Sequence, residues 1–129
     1  MRIGLVTVCF AFALALASTA SPAQSLRIAS YCSSTGDVCY GIFQQREIYR
    51  FELTLAARYF TRYRICVKPA IAVTTCMSFP VRKRGASFGG VVVWNRNYPY
   101  KGPGRYKVTW QQSGRRLGPS LRFAVLPMP

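Results

Sequence analysis

Apolar and polar residues alternate along one short segment after another of this chain. That period of two restricts the segments to strands with one buried face. In "YRFELTL", Tyr49, Phe51, Leu53 and Leu55 alternate with Arg50, Glu52 and Thr54. Ile48, Phe51, Leu55 and Tyr59 also match helix spacing, but the neighbouring segments alternate too and favour a strand. "RYRICVK" turns Tyr63, Ile65 and Val67 inward and Arg62, Arg64, Cys66 and Lys68 outward. "VTTCMSFPV" points Val73, Thr75, Met77 and Phe79 one way and Thr74, Cys76 and Ser78 the other. "VVVWN" reads as a short buried strand. "RYKVTWQ" places Tyr106, Val108 and Trp110 inside, with Arg105, Lys107 and Thr109 outside, and "SLRFAVL" does the same with Leu121, Phe123 and Val125.

Turn signals separate these segments at Lys68-Pro69-Ala70, Arg84-Gly85, Tyr98 to Gly104, Ser113-Gly114 and Gly118-Pro119. Short strands at this spacing, without a long helix, predict an all-β antiparallel sandwich of about seven strands. The Gly- and Pro-bearing stretch from Tyr98 to Gly104 reads as a crossover between sheets. Its Gly102-Pro103-Gly104 is no phosphate loop, because no helix follows. No internal repeat and no long linker divides the chain. The expected core is Tyr49, Phe51, Leu53, Tyr63, Ile65, Val67, Trp94, Tyr106, Val108, Trp110, Leu121 and Phe123.

The first residues predict a compartment. Met1-Arg2 precedes an apolar run from Ile3 to Ala17, and Ser21-Pro22-Ala23 supplies small residues for cleavage before Gln24. Residues 1–23 therefore read as a secretory signal peptide, and 24–129 as one domain exported through the general secretory route. The run is short for a membrane span and no later one approaches that length. Cys9 lies inside it, preceded by Val8, which argues against a lipidated cysteine at a processed terminus.

Charge is the other strong signal. The chain holds 18 Lys and Arg against three acids, and fourteen of the basic residues are arginine. Arginine favours bidentate pairing with carboxylate, sulfate or phosphate. An imbalance of this size implies solubility and attraction to polyanions, not a particular fold. An alkaline secreted protein encoded by an arginine-rich genome satisfies the same composition.

"GPGRYKVTW" followed by "RRLGPSLRFAV" looks like the last two strands of an immunoglobulin-like or fibronectin type III-like domain. Together with "CSSTGDVCYGIF" and "YRICV…TTC", it resembles small uncharacterised exported immunoglobulin-like proteins of high-GC bacteria, a group that carries no established activity. The resemblance implies that Tyr106 forms a tyrosine corner, its hydroxyl tying a crossover loop to the strand. It also implies that "RYRICVK", "RYKVTWQ" and "SLRFAVL" are neighbours in one sheet. Their outward residues Arg62, Arg64, Lys68, Arg105, Lys107 and Arg122 would then form a basic stripe. Arg82, Lys83 and Arg84 would extend it from a nearby turn, while Glu52 faces out beside Arg50 from the opposite sheet and would not neutralise it. The departure is in the cysteines, since an antibody-type domain carries one bridge of long separation between its sheets.

Four cysteines follow the leader, an even number that reads as disulfides in an oxidising compartment and permits three connectivities. Cys66 and Cys76 both face outward on a hairpin around Pro69-Ala70, which allows one cross-strand bridge. Cys32 and Cys39 then pair across the turn at Thr35-Gly36-Asp37. Loop-closure entropy gives each bridge roughly 2–3 kcal/mol. A redox motif wants two residues between its cysteines, not the six found here.

The chain has no histidine, so Ser-His and Cys-His pairs are excluded, and a metal site would need histidines or tighter ligand pairs than these cysteines offer. A glycosidase needs two carboxylates about 5–10 Å apart. Glu47 and Glu52 would lie roughly 16 Å apart on one strand and on opposite faces. No catalytic residue, metal, cofactor or small-molecule substrate is therefore expected. The expected role is a non-catalytic module at the cell surface, with an anionic envelope polymer (teichoic acid, acidic polysaccharide or nucleic acid) or a surface protein as partner. Two alternatives are a cationic membrane-active or antibacterial protein, though no basic amphipathic helix is present, and a nucleic-acid-binding protein, though no recognised motif is present.

Overall fold

The computed structural model describes residues 24–128; the expected signal peptide of residues 1–23, with Cys9, lies outside them. Ten strands and one helical turn follow in order: β1 Leu26–Cys32, β2 Val38–Gln45, β3 Ile48–Leu55, β4 Arg62–Pro69, β5 Thr75–Pro80, β6 Arg82–Arg84, β7 Ser87–Val93, α1 Trp94–Asn97, β8 Gly104–Gln112, β9 Arg115–Arg116 and β10 Leu121–Val125. They form two antiparallel sheets. The first has the order β1-β2-β3-β7-β6 and the second β10-β8-β4-β5, with β9 paired to the far end of β8. The strands β2-β3-β7-β6 and β10-β8-β4-β5 reproduce the ABED and GFCC′ order of an immunoglobulin-type sandwich. Those eight strands already exceed the expected seven, and two additions bring the total to ten: β1 on one edge and the short β9 beside β8.

Alternation decides which side chains meet. Tyr49, Phe51, Leu53 and Leu55 of β3 face Tyr63, Ile65 and Val67 of β4 and Tyr106, Val108 and Trp110 of β8, and all are buried. A one-residue slip in any of these strands would expose its whole apolar set, so the pattern specifies the register. Aromatic rings fill the gap between the sheets. Phe123 stacks on Tyr106 with centroids 5.0 Å apart, and Trp94 meets both edge-on. The crossover from β7 to β8 runs from Tyr98 to Pro103. It is tied down by the Tyr106 hydroxyl, which donates to the Gly102 carbonyl, and by the Tyr98 hydroxyl, which donates to the Ile65 carbonyl at 2.7 Å.

Several expectations are corrected. Val73 does not face the core: β5 begins only at Thr75, so Val73 belongs to the β4–β5 loop and is 84% exposed. Leu121 is only half-buried, because β10 is an edge strand. The run "VVVWN" is not buried throughout. Val91 points out from β7, and Trp94 leaves the strand to open α1. Thr109 faces outward by alternation yet is buried, since Ser120 covers it and their hydroxyls lie 2.7 Å apart.

Both disulfides are local. Cys32–Cys39 joins directly opposed residues of β1 and β2, and Cys66–Cys76 directly opposed residues of β4 and β5. Such bonds place the folded chain in an oxidising environment. No helix among the described residues is long and apolar enough to cross a membrane.

Candidate functional site

The outer face of the second sheet is built by the register of three strands. Arg122 of β10 lies opposite Lys107 of β8, and Lys107 lies opposite Lys68 of β4. Adjacent strands are roughly 4.8 Å apart, so three cations stand in one row across roughly 10 Å of sheet. Arg105 follows on β8, opposite Ala124, and its carbonyl accepts the Ala70 amide at 2.9 Å. Lys68, Arg105, Lys107 and Arg122 line one open cleft of about 690 Å³, walled by Ile28, Pro69 and Ala70. Tyr106 and Phe123 also contribute to its lining, and burial raises the Tyr106 phenol above its ordinary value, with Tyr100 adding to the effect.

The remaining basic positions do not continue that row. Thr109 and the Cys66–Cys76 bridge occupy the middle of the sheet. Beyond them Arg64 lies opposite both Gln111 and Ser78, while Arg62 lies opposite Pro80 and donates to the Ser78 hydroxyl at 3.3 Å. Arg62 and Arg64 line a separate, smaller depression of about 260 Å³. Arg116 of β9 joins this second group, because it pairs with Gln111. The signal for Arg116 was present at Ser113-Gly114. Both residues take positive φ, 50° and 74°, as a two-residue hairpin turn requires, and such a turn returns the next residues alongside β8.

Arg82, Lys83 and Arg84 are not an extension of this face. They form β6, which hydrogen-bonds to β7 in the first sheet, because the chain changes sheets at Val81 after β5. Arg84 donates to the Leu53 carbonyl at 3.2 Å and pairs with Glu52 at 3.3 Å. Glu52 thus neutralises one of the residues expected in the stripe. The pair is only partly buried and contributes little to stability. All three acids of the chain lie away from the second sheet: Asp37 in the β1–β2 turn, Glu47 in the β2–β3 turn and Glu52 on β3. The row at Lys68, Lys107 and Arg122 therefore has no carboxylate neighbour on its sheet.

Among the described residues no three His, Cys, Asp or Glu side chains come together to hold a metal ion. The arrangement can attract and align negative charge. No family model, no curated protein and no solved structure matches this chain.

Proposed function

We propose that the chain is an exported, non-catalytic β-sandwich module that binds anionic polymers of the cell envelope on the outer face of its second sheet. One observation carries the reading: Lys68, Lys107 and Arg122 stand side by side in the register, with Arg105 beside them, on a sheet without acids. Like charges directly opposed on neighbouring strands destabilise a sheet. A fold tolerates that cost more readily when a bound anion offsets it. The apolar leader and the two disulfides support export. The absence of histidine and the separation of the three carboxylates support a binding role over catalysis.

The test compares two variants that lose equal charge. Lys68→Ser, Lys107→Ser and Arg122→Ser together remove the row. Arg27→Ser, Arg82→Ser and Lys83→Ser together remove cations from the first sheet. The row variant should elute from an immobilised sulfated polysaccharide at clearly lower salt than the control. Equal elution would mean that only net charge matters, and the assignment of a site would fall.

A further inference from the structure

We infer that the end of the sandwich beside the cationic row docks onto an anionic lipid surface. The observation is where the exposed apolar side chains lie. Ile71, Val73, Leu126 and Met128 are each more than 80% exposed, whereas every other exposed large apolar residue among those described is at most 60% exposed. All four belong to one end of the second sheet. Ile71 and Val73 lie in the loop that leaves β4 beside Arg105, and Leu126 and Met128 follow Val125, which pairs with the first residue of β8. The crossover loop reaches the same end and presents Tyr100 and Lys101, both exposed. Separate exposed apolar residues are unremarkable, but a cluster of them marks a contact surface.

Charge complementarity names the occupant. The row of Lys68, Lys107 and Arg122 lies two residues back from Ala70, Arg105 and Ala124 along the strands, which is roughly 7 Å. Apolar tips that enter a bilayer by about 5–10 Å would leave those cations at the level of the phosphates. Tyr100, with an apolar ring and a polar hydroxyl, suits the boundary between them. A protein partner of ordinary polarity has no reason to match apolar tips backed by uncompensated cations. An anionic bilayer matches both. The inference shares its cations with the polymer-binding reading and adds the apolar loops, which a soluble polysaccharide has no use for.

The experiment uses the oxidised domain with vesicles of phosphatidylcholine, with and without phosphatidylglycerol, and separately with the sulfated polysaccharide column. The domain should cosediment with phosphatidylglycerol vesicles and poorly with phosphatidylcholine alone. Ile71→Ser, Val73→Ser and Leu126→Ser together should weaken vesicle binding at least tenfold, since burying each such side chain is worth about that factor or more. The same variant should elute from the polysaccharide unchanged. Its sites are solvent-exposed, and an unchanged circular dichroism spectrum would verify its fold. Removing the cationic row should weaken vesicle binding on the order of a hundredfold, about fivefold per cation. Vesicle binding untouched by the apolar variant would overturn the inference and leave the polymer reading standing. So would a wild-type domain that binds the polysaccharide but no vesicle. Self-association without lipid, abolished by the apolar variant, would also overturn it by making the patch a contact between copies. Vesicle binding without polysaccharide binding would instead retain the inference and remove the polymer reading.

Discussion

Trp110 of β8 stacks on Tyr40 of β2 across the gap between the sheets, with centroids 4.4 Å apart and planes 20° from parallel. The Tyr40 hydroxyl donates to the Pro119 carbonyl at 2.5 Å, so the same ring anchors the segment leading into β10. The Trp110 indole N–H is buried with no hydrogen-bond partner. Truncation to Ala and replacement by a smaller aromatic ring should therefore diverge. Trp110→Ala should cost about 3–5 kcal/mol in urea unfolding. Trp110→Phe should cost less than about 2 kcal/mol, because it also removes an unsatisfied donor. Comparable losses for the two would show that the ring's contacts are not what the site supplies. Gly89 is constrained from the other direction. It has φ +146°, and a Cβ there would fall 1.8 Å from the Leu53 carbonyl oxygen, a backbone atom that cannot move without breaking the β3–β7 ladder. Gly89→Ala should destabilise by about 3 kcal/mol or more, measured by thermal unfolding.

The strands that alternate are legible from the chain: β3 presents the face its sequence dictates, and β4, β8 and β10 do so except at Cys66 and Thr109, which are buried on the outer side, and Leu121, half-buried at the edge. The β2 strand is not legible in the sequence, although Tyr40 and Ile42 are both buried, because Cys39, Gly41 and Phe43 leave its alternate positions without the polar residues that mark a strand. The short β6 was invisible for another reason. "RKR" carries no apolar residue, and only its ladder with β7 makes it a strand. That is why Arg82, Lys83 and Arg84 were expected on the wrong sheet: three successive cations reveal exposure but not which sheet they join. The row of Lys68, Lys107 and Arg122 was legible in part. Alternation gives the outward faces, while the register that sets them side by side depends on long-range pairing. The cysteines belong to this scale as well. Cys32 is exposed, whereas Cys66 is buried between β5 and β8. Mild reductant followed by alkylation should label Cys32 and Cys39 before Cys66 and Cys76. Simultaneous labelling would imply that both bridges open only on global unfolding.

At the scale of the whole molecule, all three acids lie on the first sheet or in its turns, while the charged residues on the second sheet's outer face are all cations. The core between them holds five tyrosines, Tyr40, Tyr49, Tyr63, Tyr98 and Tyr106, and these provide a pH probe of its integrity. Burial pushes the Tyr40 and Tyr63 hydroxyls up to about 12, with Tyr31 raising Tyr40 further and nearby arginines opposing both shifts. Burial raises Tyr98 more strongly still and lifts Tyr49 as well. A phenol in the unfolded chain ionises near pH 10. Between pH 10 and 12 the unfolded state therefore releases protons that the folded state retains. The stabilisation these tyrosines provide is complete below pH 10 and disappears as the pH climbs through about 12. Ultraviolet titration should show the buried tyrosines, Tyr40, Tyr63 and Tyr98 among them, as a late group. That group should ionise only together with loss of the circular dichroism signal of the sheets. If all eight tyrosines ionised near pH 10 in a chain that remained folded, water would have access to the gap between the sheets, and the aromatic packing that positions β8 and its cations would not be as described.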